Sequence, residues 1–377
     1  MKKLSDRILH FIKKEAVLTI SGTAAIITMF IAPPNKEYLS HIDFRVLALL
    51  FCLMAAVAGF ADNGVFLKLS YLLLKKVKTI RSLGVVLVLL CFVSSMWITN
   101  DVALITFVPF AIMILNIAGK SKEIIKIVVL QTVAANLGSM LTPVGNPQNL
   151  RLYSYYNLSI TDFILITLPY AAFSLILILA AVLMTKKERL DIKINTAAGT
   201  EAAAKPYMII VYSLLFLLSL ACVIRLIDYK ITFVIVLASI LILDRKILMR
   251  VDYNLLLTFV FFFIFVGNIG SLPAIRDAFG QLLSGREFAV SVVASQVISN
   301  VPAAVLLSAF SSNYKALIIG TNIGGLGTLV ASLASLISYK LYCRSENAKP
   351  PKYLAVFSLY NMIYLTALCL LYMLMSR

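Results

Sequence analysis

The sequence predicts an all-α polytopic membrane protein with two inverted-topology repeats, broken helices and two opposed re-entrant hairpins. Composition is the first reason. Hydrophobic residues make up 61% of the 377 and charged residues 14%, with a mean hydropathy of +0.96. A soluble domain of that size cannot hide so much apolar surface. The second reason is that the chain interrupts its apolar stretches in the same way twice. Thr99-Asn100-Asp101 breaks one stretch, and Ser299-Asn300-Val301 breaks another 200 residues later. Third, a glycine-marked polar run follows each break. These are Ala135-Asn136-Leu137-Gly138-Ser139 with Thr142, and Thr321-Asn322-Ile323-Gly324-Gly325 with Thr328. Backbone leaves the helix at membrane depth only where protein or a wet cavity satisfies it, so paired breaks in matching order point to repeats around a shared centre.

Apolar runs place spans at 16–33, 43–61, 124–156, 161–185, 206–226, 229–244, 252–270, 315–342 and 353–376. Two further apolar pieces, 82–118 and 287–313, are each broken at the centre. Lys2, Lys3, Arg7, Lys13 and Lys14 precede the first run, and no small-x-small site precedes Pro33-Pro34. The run is therefore expected to be an uncleaved span with a cytoplasmic N-terminus. The arms of 287–313 are about 12 residues long, ~18 Å of helix against ~30 Å of hydrocarbon, so this piece enters and returns on one side.

Charge decides the other piece. Lys75, Lys76, Lys78 and Arg81 precede 82–118, and Lys120, Lys122 and Lys126 follow it. Two basic flanks make both ends cytoplasmic and the segment a hairpin. All but nine of the 34 Lys and Arg then fall inside; the nine are Lys36, Arg45, Arg151, Arg225, Lys230, Arg276, Arg286, Lys315 and Arg377. The expected organisation is an N-terminal repeat, 1–185, with the inward-opening hairpin 82–118. A cytoplasmic linker, 186–205, leads to a C-terminal repeat, 206–377, with the outward-opening hairpin 287–313 and an extracytoplasmic C-terminus. Tyr153, Tyr155 and Tyr156 suit the outer interface, Tyr339 and Tyr342 the inner one.

Several function classes drop out. The net charge of +17 lies mostly in short loops, with no basic stripe interleaved with aromatics, so nucleic acid is not a partner. Cys52, Cys91, Cys222, Cys343 and Cys369 stand alone without metal or redox spacing. His10 and His41 fall outside the spans. With no paired carboxylates at depth and no nucleotide loop, neither an enzyme nor an ATPase is indicated, and no cofactor beyond a bound ion.

The remaining chemistry sits at the breaks. Each tip starts a half-helix whose free N–H groups and partial positive charge lie near mid-membrane. Facing the first tip, 138–149 offers carbonyls, hydroxyls and amides; Pro143 and Pro147 forbid continuous helix there. Such groups suit an anion at helix N-termini and Na+ among carbonyls. Thr99, Asn100, Asp101, Ser299, Asn300, Asn146, Asn149 and Thr328 are the candidate solute contacts. Asp101, Asn136, Gly138, Thr142, Asn322 and Gly324 are the candidate coupling positions, with Na+ expected near Asn100, Gly138, Asn300 and Gly324. Asp101 is the one acid expected at depth, able to exchange a proton or hold Na+, or else to cap the helix after the tip. Arg151 reads either as an anion attractor or as an interfacial anchor.

The run Thr-Asn-Asp-Val-Ala-Leu from Thr99 resembles the ion transporter superfamily. So does Ala-Asn-Leu-Gly-Ser-Met-Leu-Thr-Pro-Val-Gly-Asn-Pro-Gln-Asn from Ala135. That superfamily includes arsenite-efflux pumps, citrate–metal carriers, dicarboxylate/sodium symporters and some sodium/proton antiporters. The likeness is greatest to the arsenite-pump-like and bacterial anion-transporter branch. The resemblance implies opposed hairpins, a homodimer and an elevator-type motion. Dicarboxylate symporters carry Ser-Asn-Thr at both tips; Asp101 and Val301 depart from that, and Asp101 looks more like the arsenite-pump and citrate–metal branches. No thiol lies at a candidate position to bind arsenic(III). The function expected is secondary active transport of a small anionic solute driven by H+ or Na+. A Na+/H+ antiporter is the alternative, with a channel or membrane enzyme more remote.

Overall fold

A computed structural model describes residues 15–34, 38–74, 77–189 and 206–376. The basic residues before Glu15, Lys36, Lys75, Lys76, most of the linker and Arg377 lie outside the described residues. Eight helical segments among those described are long and apolar enough to cross a membrane. The protein is a multi-pass integral membrane protein, and its regular elements among the described residues are all helices.

The first half runs through α1 (Ala16–Ile31), α2 (Tyr38–His41), α3 (Phe44–Asp62) and α4 (Val65–Leu74) to α5 (Ile80–Ile98) and α6 (Asn100–Ile117). It continues through α7 (Ile124–Gly138), a 3-10 turn at Ser139–Leu141, α8 (Pro147–Tyr155) and α9 (Ile160–Leu183). The second half comprises α10 (Pro206–Val223), α11 (Tyr229–Leu243), α12 (Tyr253–Gly270), α13 (Pro273–Leu283), α14 (Glu287–Ile298) and α15 (Asn300–Ser308). It ends with α16 (Tyr314–Gly324), α17 (Leu333–Cys343) and α18 (Pro350–Met375). The expected breaks are all present. The span expected at 315–342 divides into α16 and α17, although the second half lacks the prolines of the first. The short helices α4 and α13 were not expected.

Local chemistry sets the helix starts. Thr79 and Ser82 form a capping box at α5, while Asp43, Asn146, Ser159, Asp252 and Asn313 each accept a backbone N–H at the start of α3, α8, α9, α12 and α16. Pro147 occupies the first turn of α8, where a missing N–H costs nothing.

Both central pieces fold back on themselves. At the root of the first, the Ile80 N–H donates to the Glu188 carbonyl (3.0 Å), while Lys120 Nζ pairs with the Glu188 carboxylate at 2.5 Å. One residue just after α9 thus touches the start of α5 and the residues following α6. At the second, Asn313 Nδ2 reaches Glu287 Oε2 (3.4 Å), joining the start of α14 to the start of α16.

The hairpins then cross over. In the first half α6 packs on α17, and in the second α15 packs on α8. Between them α7 is the innermost helix: 89% of its span is buried, against 22% for α18. A helix apolar all round belongs in the interior, and Gln131, Thr132 and Asn136 on α7 are buried with it.

Candidate functional site

Each tip is a single residue in left-handed backbone. Thr99 has φ 72° and ψ 150°, Ser299 φ 74° and ψ 154°. Such values are costly for residues with a Cβ, above all β-branched Thr99. The next amide ties each tip to a loop. The Asn100 N–H donates to the Gly145 carbonyl (3.1 Å), and the Asn300 N–H to the Ala331 carbonyl (3.0 Å).

Gly145 and Ala331 are 186 residues apart, the same spacing that separates Asn136 from Asn322, Gly138 from Gly324 and Thr142 from Thr328. The two glycines do the same job. A Cβ on Gly138 would lie 2.7 Å from Ser95 Oγ and collide with the Phe92 carbonyl; one on Gly324 would lie 2.7 Å from Ser295 Oγ. Absence of a side chain lets α7 and α16 approach their hairpins. The threonines correspond too. Thr142 donates its hydroxyl to the Met96 carbonyl, and Thr328 donates to the Gln296 carbonyl at 3.3 Å, although Thr328 is exposed.

The asparagines form a buried network across the halves. Asn100 Nδ2 donates to Asn136 Oδ1 (3.1 Å), which also accepts from Ser332 Oγ (3.0 Å), while Asn136 Nδ2 donates to Ser335 Oγ (3.2 Å). Asn146 Nδ2 donates to Asn322 Oδ1 (3.0 Å), and Asn322 Nδ2 to Asn149 Oδ1 (2.6 Å). Ser332 and Ser335 stand 186 residues after Asn146 and Asn149. Each half therefore sends one asparagine, 136 or 322, onto the two residues at the start of the other half's short helix.

The candidate residues divide accordingly. Asn100, Asn136, Asn146, Asn149 and Asn322 share the network, with Gly138 and Gly324 as its close contacts. Ser299 is buried and its Oγ lies 3.4 Å from the Ala331 carbonyl; Asn300 is buried against Gly325. Asp101 is half-buried, and its N–H donates to Asn100 Oδ1 at 3.0 Å. Among the described residues its carboxylate joins none of the three ion pairs. Arg151 is buried, paired with Asp43 at 2.7 Å and stacked over Tyr155 and Phe263, so it braces α8 against the start of α3. The described residues contain no cluster of three or more metal-ligating His, Cys, Asp or Glu.

Sequence reasoning missed Ser332, Ser335 and Gln296, and it named Ser139 only as part of a polar run, although its Oγ accepts from Asn146 Nδ2 (3.1 Å) and donates to the Asn136 carbonyl (2.9 Å). The first two were within reach, because the spacing that pairs Thr142 with Thr328 also pairs them with Asn146 and Asn149. Gln296 sits where the first half has Met96, and nothing in its apolar surroundings marks it.

Comparison with known proteins shows the family. The family described as Citrate transporter matches residues 8–315. A Methanocaldococcus jannaschii protein named as a transporter, MJ0456, is 32% identical over 88% of this chain and 90% of its own. The Escherichia coli inner membrane protein YbiR is 29% identical over 84% of each chain. The rice silicon efflux transporter LSI3 is 31% identical over 39% of this chain and 30% of its own. The chain belongs to the citrate transporter family, within the ion transporter superfamily that its tips and loops resemble.

Proposed function

We propose that this membrane transporter carries a small anionic solute by secondary active transport, coupled to H+ or Na+, through elevator-type alternating access. The reciprocal bonds between halves are the observation that carries the proposal. Alternating access needs two conformations of similar energy facing opposite sides, and halves that exchange equivalent contacts supply them. Under this proposal the repeats are inverted and the hairpins re-entrant, with tips near mid-membrane and the N-terminus cytoplasmic; the homodimer rests on family resemblance. The half-helices α6 and α15 aim their N-termini at the solute, flanked by Thr99, Asn100, Asp101, Ser299 and Asn300. The family description makes citrate the first solute to try, and the name of the rice relative adds a silicon-containing solute as a second.

Asp101 favours a second proposal, a Na+/H+ antiporter, because its carboxylate has no ion-pair partner among the described residues. Proteoliposome assays separate the two. Solute uptake that dissipates an imposed ion gradient supports the first; Na+-driven proton movement with no solute present supports the second.

A further inference from the structure

A side-chain amide meets the carbonyls of each loop, and the two amides come from different positions. In the first, Asn149 Nδ2 faces the carbonyls of Ser139 (3.2 Å), Met140 (3.3 Å) and Thr142 (3.1 Å). In the second, Gln296 Nε2 faces those of Gly324 (2.7 Å), Leu326 (2.9 Å) and Val292 (3.3 Å). Met140 and Leu326 are 186 residues apart, so one equivalent carbonyl receives an amide hydrogen in each half, and its neighbours in the same loops supply the others apart from Val292, on the helix that carries Gln296. The donors are not equivalent. The residue matching Asn149 is Ser335 and the residue matching Gln296 is Met96, and neither has a side-chain amide.

The amide orientations follow from backbone groups. The Asn149 N–H donates to Asn146 Oδ1, which leaves Asn146 Nδ2 for Asn322 Oδ1, and Asn322 Nδ2 for Asn149 Oδ1. The nitrogen of Asn149 must then face the carbonyls. Gln296 Oε1 accepts the Thr328 N–H at 2.9 Å, which turns its nitrogen the same way. Converging carbonyls are what a Na+ ion seeks, and in each loop an amide's partial positive charge already meets them. Oxygens near the first tip are engaged as well: Asn100 Oδ1 by the Asp101 N–H, Asn136 Oδ1 by Asn100 and Ser332.

We infer that Asn149 and Gln296 stand in for cations, so the loops take no Na+ and any coupling ion is not Na+ held among their carbonyls. The Na+ expected near Gly138 and Gly324 does not fit the donor set present. Coupling presupposes the transport proposal; the binding claim does not.

The test is thermal melting of the purified full-length protein in NaCl against choline chloride at matched ionic strength. Asn149→Ser and Gln296→Met are the informative variants, each importing the residue the opposite half already accommodates. The wild-type midpoint is expected to be the same in both salts, and the variants to gain a stabilisation specific to Na+. A Na+-specific shift in the wild-type protein that Asp101→Asn retains, or folded variants that gain none, overturns the inference. Failure of the transport proposal appears separately, as wild-type proteoliposomes that move no solute, and leaves the melting result standing.

Discussion

Asn322 donates a 2.6 Å hydrogen bond to Asn149, a residue 173 positions earlier, and Asn136 repeats the contact in reverse by donating to Ser335 at 3.2 Å. Both bonds are buried and join opposite halves at the start of a half-helix. Their consequence is mechanical: the loop of one half cannot shift without moving the short helix of the other.

Breaking this pair should be costly. Asn322→Ala strands the Asn149 oxygen and leaves Asn146 Nδ2 with Ser139 Oγ alone, and the expected loss is about 1–3 kcal/mol. A double-mutant cycle of Asn322→Ala with Asn149→Ala should give a coupling on the order of 1 kcal/mol. The Asn136–Ser335 cycle should give less, since its bond is longer and Asn136 keeps Asn100 as a partner. Unfolding in mixed detergent micelles measures both.

The tips should behave oppositely. Thr99→Gly removes a β-branched side chain from left-handed backbone and should stabilise the protein by roughly 1 kcal/mol. Ser299→Gly should gain less, because it gives up the weak contact to the Ala331 carbonyl. A lower melting midpoint for Thr99→Gly would show that its hydroxyl contributes more than the strain costs.

Gly138→Ala and Gly324→Ala should both destabilise, by about 1–3 kcal/mol. Gly138→Ala should be the worse, because one obstacle is the Phe92 backbone carbonyl, whereas the nearest obstacle at Gly324 is the side chain of Ser295. Comparing folded yield and melting midpoint for the two variants checks the order.

The first hairpin root can be trapped. Thr79 and Arg189 form an antiparallel bridge, which places Cα atoms about 5 Å apart, within disulfide reach. With the five native cysteines replaced, Thr79→Cys and Arg189→Cys should crosslink on mild oxidation. Absence of crosslinking would contradict the placement of Arg189 beside Thr79 at the root. Acid should loosen the neighbouring Lys120–Glu188 contact, because hydrogen bonding to Lys120 holds the exposed Glu188 carboxyl below its usual range. A depressed carboxylate contributes above its unfolded pKa, about 4.3, and loses that contribution as pH falls through the lower folded value. Proteolytic cleavage between Thr185 and Arg189 should therefore accelerate only in that acid window.

The long elements were legible because hydrophobic runs set them. The span expected at 161–185 is found at Ile160–Leu183, and the break expected after Gly138 is real. The helices α4 and α13 escaped notice because Lys68, Arg276 and Asp277 interrupt runs already too short to span. The second loop was harder than the first. Leu329 and Leu333 replace the prolines, so only glycines signalled the unwinding of 325–332. Ser332 and Ser335 look like ordinary polar residues of a helix, and their partner Asn136 lies about 200 positions away, beyond any local pattern. Gln296 was invisible for a different reason: its importance comes from the carbonyls that face it.

Reconstitution tests the transport claim most directly. Purified protein in liposomes should take up labelled citrate or a competing anion against its gradient when a proton gradient is imposed. Asn100→Ala and Asn300→Ala should each abolish uptake in protein that remains folded. Cation exchange without any solute, or uptake unchanged by both tip variants, would contradict the proposal that the two tips form one solute site.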